Sequence, residues 1–113
     1  MIKVVLKDIS VESLLKGIND LIDNNRIQTW EYDLMGDYTM TPPQWRAQAW
    51  MRPAVKVGRT IKFGIIKRRD VNISKEVYAV YHGRFAEMLL AHFDVNIESL
   101  EISPMLVTGI DIY

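Results

Sequence analysis

The chain has 113 residues, 49% apolar and 25% charged, which suits one globular domain around a single core and excludes a disordered segment. Apolar runs extend for only a few residues against the roughly 20 that a bilayer crossing needs, and Met1-Ile2-Lys3 opens into a strand rather than a signal sequence, so a cytosolic protein without membrane contact is expected. The lack of cysteine excludes disulfides, thiolate metal sites and cysteine nucleophiles, and 14 basic residues cancel 14 acidic ones.

That cancellation hides a pattern. Residues 1–43 carry 4 basic and 7 acidic side chains, residues 44–75 carry 9 and 1, and residues 76–113 carry 1 and 6. A basic centre between acidic flanks marks either an anionic partner or a strand pair neutralised by its own neighbours.

Ile2 to Leu6 reads as a first strand, and Asp8 or Ser10 supplies the N-cap of a helix that ends at Asn24-Asn25. Leu14, Leu15, Ile18, Leu21 and Ile22 form its apolar stripe. From Ile27 the period becomes two: Trp30, Tyr32 and Leu34 alternate with Thr29, Glu31 and Asp33 up to the Met35-Gly36-Asp37 turn. An irregular stretch reaches Pro42-Pro43. A further strand then sets Trp45, Ala47, Ala49 and Met51 against Arg46, Gln48, Trp50 and Arg52, and the next sets Ile61, Phe63 and Ile65 against Lys62, Gly64 and Ile66.

These two strands pair as an antiparallel hairpin in which odd residues oppose odd ones. That register excludes a two-residue turn at Val57-Gly58 and calls for a three-residue loop with a glycine-assisted bulge, or for a bulge at Pro53. Ser74 caps a second helix that runs to about Phe93, and Glu98 to Met105 closes the series as a strand. The predicted order βαβββαβ gives a single α+β domain over residues 1–113. It is a two-layer, mostly antiparallel sheet with both helices on one face, ferredoxin-like or related.

Catalytic motifs are sparse. The glycines form neither a dinucleotide fingerprint nor a phosphate loop, and no serine occupies a nucleophile elbow. His82 and His92 are separated by roughly 15 Å along one helix and cannot share a metal ion. His82, in Tyr81-His82-Gly83-Arg84, has the chemistry of an acid/base group if a carboxylate from another element meets it, although a packed, hydrogen-bonded histidine is the commoner arrangement. Glu31 and Asp33 lie about 7 Å apart on one strand face, a spacing that any strand produces, and ion pairing across to Arg46 or Lys62 is the simpler account. No cofactor and no metal site are expected.

Two features point to contact surfaces. Helix two has a main apolar face of Tyr78, Tyr81, Phe85, Leu89 and Phe93, and a second stripe of Ala79, Gly83, Ala86 and Leu90 on another flank. A mid-helix glycine in a small-residue stripe permits close approach of another backbone, either from helix one near Gly17 or from a second copy. The other feature is the sheet face away from the helices, where Trp50 stands among Arg46, Gln48, Arg52 and Lys62, and where Lys67-Arg68-Arg69 leads towards helix two. A tryptophan among cations and amides stacks on nucleobases or anchors protein interfaces, or else covers Gly64 or Ile66 on the neighbouring strand, an aromatic filling the gap a strand glycine leaves. The apolar tail with Ile110, Ile112 and Tyr113 suits strand addition, to its own sheet or to that of a second copy.

The leading expectation is a non-enzymatic interaction module that forms a homodimer through helix two, the open sheet face or the tail. The alternative is an anion or nucleic-acid binder using Arg46, Trp50, Arg52, Lys62, Lys67, Arg68 and Arg69. The third is a small enzyme built on His82.

Overall fold

Ile2, Val4 and Leu6 are fully buried while Lys3 and Val5 are half-buried, the two-residue period of a strand with one covered face. This first strand, β1 (Ile2–Leu6), lies inside the sheet of the computed structural model, which describes residues 1–112. Helix α1 (Val11–Asp23) follows. The Ser10 hydroxyl accepts from the Ser13 N–H at 3.0 Å to cap it, and Val11, Leu14 and Ile18 form its buried stripe.

Next come β2 (Trp30–Tyr32), β3 (Tyr38–Met40), β4 (Ala49–Val57) and β5 (Thr60–Lys67). Helix α2 (Lys75–Phe93) starts at Ser74, whose hydroxyl accepts from the Val77 N–H at 3.1 Å, and a 3-10 turn at Asp94–Asn96 leads into β6 (Ile97–Ile102). No helix among the described residues is long and apolar enough to cross a membrane.

The six strands form one antiparallel sheet in the order β2-β3-β4-β5-β1-β6. Two crossovers interlock in it. From β1 the chain passes through α1 and the β2–β3 hairpin to β4, stepping over β5; from β5 it passes through α2 to β6, stepping over β1. Both helices contribute to one core on one face of the sheet, so the α+β two-layer arrangement read from the sequence is the arrangement found. Phe85 lies at its centre, with ring centroids 4.8 Å from Phe63 and 5.0 Å from Trp30. The helices also meet each other: a Cβ on Gly17 would lie 3.0 Å from the Phe93 ring, so the missing side chain admits that ring.

Two local differences from the sequence reading have physical causes, and the hairpin takes one of the two closures expected of it. Strand β3 lies in the stretch expected to be irregular; all three of its residues are buried, so there is no alternation to read, and Pro42-Pro43 ends it. The strand expected from Trp45 begins only at Ala49, because Ala47 adopts φ 55° and turns the chain. The β4–β5 hairpin has the expected odd-to-odd register, Met51 opposite Ile65, and of the two ways of closing it the bulge at Pro53 is the one found, with the two-residue loop Gly58-Arg59 in place of a three-residue one. A register shift between Pro53 and Val55 makes this possible, and Gly58 at φ +59° suits the first central position of a type II′ turn.

Beyond β6 the chain turns back and docks on β5. The Ile112 N–H donates to the Ile65 carbonyl and the Lys67 N–H to the Ile112 carbonyl, each at 2.8 Å, in parallel pairing. Since β1 pairs with β5 only through Phe63, the tail takes the adjoining position along the same edge. Gly64 is thus covered by the tail and not by Trp50: a Cβ there would lie 1.9 Å from the Ile110 carbonyl oxygen. Tyr113, expected to join this strand addition, lies outside the described residues.

Candidate functional site

The basic residues singled out in the sequence divide into two groups. Arg46, Trp50, Lys67, Arg68 and Arg69 line one concavity of about 520 Å3, together with Ala47, Gln48, Asp70 and Val71. Arg52 and Lys62 lie elsewhere. Arg52 makes a bidentate ion pair with Asp37 at 2.8 and 3.0 Å, whose carboxylate is nearly fully buried, and it lines a separate hollow beside Leu15 and Tyr38. Lys62 sits opposite Lys3 on β1 and Val55 on β4.

One wall of the basic pocket is the turn between β3 and β4, fixed from the core side. The Tyr81 hydroxyl donates to the Trp45 carbonyl, while the Thr39 hydroxyl accepts from the Ala47 N–H at 3.0 Å and donates to the Ala49 carbonyl at 2.9 Å. These bonds hold the left-handed Ala47 and place Arg46 and Trp50 on either side of it. The opposite wall is the loop after β5, where Lys67 Nζ donates to the carbonyls of Arg68 and Arg69 at 3.2 and 2.8 Å. The lysine folds over its own loop and leaves both guanidinium groups at the surface.

Four cations and one acid, Asp70, therefore surround the pocket. Arg46 is bidentate to Glu31 at 3.0 and 3.3 Å, the partner expected of that carboxylate, although Arg46 reaches it from the turn before β4 and not from a strand; with the arginine side chain 61% exposed, the pair orients the guanidinium more than it stabilises the fold. Arg68 and Arg69 are exposed, and among the described residues their side chains make no ion pair or hydrogen bond. Trp50 is half-buried, opposite Ile66 on β5. The pocket thus offers unpaired cations beside an aromatic surface, the chemistry that receives phosphate and a stacked ring.

His82 is differently placed. It is 2% exposed and lines none of the concavities described here. Its Nδ1 lies 2.8 Å from the Tyr78 carbonyl, which only accepts, so Nδ1 carries the proton and Nε2 is free to accept from the Met1 amino group at 2.9 Å. Burial first, then the neighbouring amino group, lowers the His82 pKa to about 4, so the ring is neutral at ordinary pH. A carboxylate from another element does approach, as acid/base chemistry requires, but the amino group stands between: Asp111 Oδ2 lies 3.2 Å from Met1 N.

The third N–H of that amino group points to the Tyr78 hydroxyl at 3.1 Å, which in turn donates to the Ser103 carbonyl at 2.5 Å. Each donor has an acceptor, and the cluster reads as a structural knot. Sequence reasoning missed it. The signal was Asp111 itself, a lone acid between Ile110 and Ile112, since a charge within an apolar stretch is buried only when it is partnered.

The surface stripe on α2 is split by the structure. Ala86 is buried, while Ala79, Gly83 and Leu90 are exposed, and a Cβ on Gly83 would meet nothing within 4 Å. Ala79 lines an apolar hollow of about 400 Å3 with Ile73, Tyr78, Met105 and Leu106. Ile110 and Ile112 belong to the docked tail. Among the described residues no three histidine or carboxylate side chains come together to hold a metal ion. Comparison of the chain with protein-family models, curated proteins and solved structures returned no match.

Proposed function

We propose that the protein is a non-enzymatic binding module that receives single-stranded nucleic acid in the basic pocket. The observation that carries this reading is the meeting of Arg46, Trp50, Lys67, Arg68 and Arg69, from two separate segments, around one concavity of about 520 Å3 in which the Arg68 and Arg69 side chains are exposed and, among the described residues, make no ion pair. Phosphates pair with the exposed guanidinium groups and a base stacks on Trp50. The engagement of both His82 nitrogens supports binding over catalysis at that residue. A cytosolic setting is part of the proposal, in keeping with a chain that has no cysteine to oxidise.

The test is fluorescence anisotropy of a labelled twelve-residue oligothymidylate. With three phosphates neutralised, affinity is expected to fall roughly twentyfold between 50 and 200 mM salt. The Arg68→Ala/Arg69→Ala double variant should flatten that dependence, and no binding at 20 mM salt ends the reading.

Self-association is the second reading, favoured by the exposed Ala79, Gly83 and Leu90 on α2 and the apolar hollow beside Ala79. A second copy seated there produces a homodimer, which size exclusion with light scattering detects directly. A monomer at high micromolar concentration rules it out.

A further inference from the structure

The strand end that carries Lys67 into the basic pocket is held from both sides. On one side β4 pairs with it, Trp50 opposite Ile66 and Ala49 opposite Lys67. On the other side β1 has ended, and the backbone of β5 from Gly64 onward meets the tail instead.

The tail's hold converges on one side chain. Asp111 Oδ1 accepts from the Ile65 N–H at 2.8 Å, and Oδ2 accepts from the Val107 N–H at 2.6 Å and from the Met1 amino group at 3.2 Å. A carboxylate that holds donors from β5, from the tail and from the head of β1 closes the tail across the sheet, and it is fully buried in doing so. The missing side chain at Gly64 leaves the space in which the Ile110 carbonyl crosses.

We propose that Asp111 is a positioning residue for the basic pocket, holding the tail against β5 so that Lys67, Arg68 and Arg69 stand opposite Arg46 and Trp50. The proposal rests on the reading of that pocket as the nucleic-acid site. With the tail released, the Ile65 and Lys67 amides lose their partners on that side and the root of the basic loop frays. Linkage makes the effect reciprocal: a ligand that binds only the ordered pocket tightens the tail.

The experiment uses the full chain and the same labelled oligothymidylate, with amide hydrogen exchange followed by NMR. In the wild-type protein, saturation with the probe slows exchange at Ile65, Lys67 and Ile112 by about tenfold and leaves the β1–β6 amides unchanged, a ligand-dependent response that a purely structural aspartate does not produce. Asp111→Asn, which puts an amide NH2 where one of the two carboxylate oxygens accepts, raises the Kd about tenfold. Unchanged affinity in that variant, or tail amides that ignore the probe in the wild type, overturns the inference while leaving the pocket reading intact. Failure of the wild-type protein to bind the probe at low salt overturns both.

Discussion

The hook around Asp111 and the basic pocket flank the same end of β5, and they treat charge in opposite ways. In the hook each donor is answered: the Met1 amino group meets Tyr78, His82 and Asp111, and Asp111 in turn accepts from Ile65 and Val107. In the pocket the guanidinium groups of Arg68 and Arg69 face solvent beside a half-buried tryptophan. Buried charge that is fully partnered specifies a fold, whereas exposed charge gathered without partners leaves its interaction free energy for a ligand. The sharpest way to break the comparison is to truncate a residue from each region. Asp111→Ala strands two backbone N–H groups and a half-buried amine and is expected to cost about 3–5 kcal/mol in urea unfolding, whereas Arg69→Ala should stay within about 0.5 kcal/mol of wild type. Comparable losses from both would show that the pocket residues are structural too.

Acid should open the hook before it affects the pocket. The imidazole of His82 has a pKa of about 4 in the folded protein against 6.5 for the free side chain, so between those values the unfolded chain takes up a proton that the folded one does not. The associated stability is complete above pH 6.5 and falls as the pH drops, by roughly 3 kcal/mol at pH 4. Burial also holds the amino group of Met1 below its usual 8.0 despite Asp111, so its contribution has the same sign and is complete only above pH 8. Urea midpoints measured from pH 4 to 8 should rise with pH. A flat profile below pH 6.5 would mean that His82 is not buried as the neutral ring.

Gly64 sharpens the comparison from the backbone side. A methyl group there meets the Ile110 carbonyl at 1.9 Å, so Gly64→Ala must displace the tail or shift the strand. We expect a loss of about 1–3 kcal/mol, with the tail becoming the first site of limited proteolysis. Cleavage beginning elsewhere would separate Gly64 from the docking of the tail.

Much of this molecule is legible because it is locally determined. Ser10 and Ser74 cap their helices through side chains that accept three residues ahead, and the apolar alternation of Ala49 and Met51 against Ile61, Phe63 and Ile65 sets the β4–β5 register. Strand β3 is not legible, since three consecutive buried residues carry no period. The basic cluster is visible in the sequence as a composition, but its closure into a pocket depends on an alanine at positive φ, which no local preference foretells. The hook is least visible of all, because its contacts join Met1 to residues 77, 81 and 110 positions away.

The smallest expected effect decides between the two proposed surfaces. Gly83 lies in the middle of α2 with open space where its side chain would be, so in a monomer Gly83→Ala gains helix propensity alone and stabilises the protein by about 1 kcal/mol. If a second copy packs its backbone against that glycine, the methyl group obstructs the contact and weakens association. The same variant therefore separates the two states: a higher melting temperature that does not depend on protein concentration leaves the outer face of α2 as solvent-facing surface, whereas a dimer that dissociates at lower dilution than wild type places the interface on it. The basic pocket provides the internal control, because in the monomeric case Gly83→Ala leaves oligonucleotide affinity unchanged.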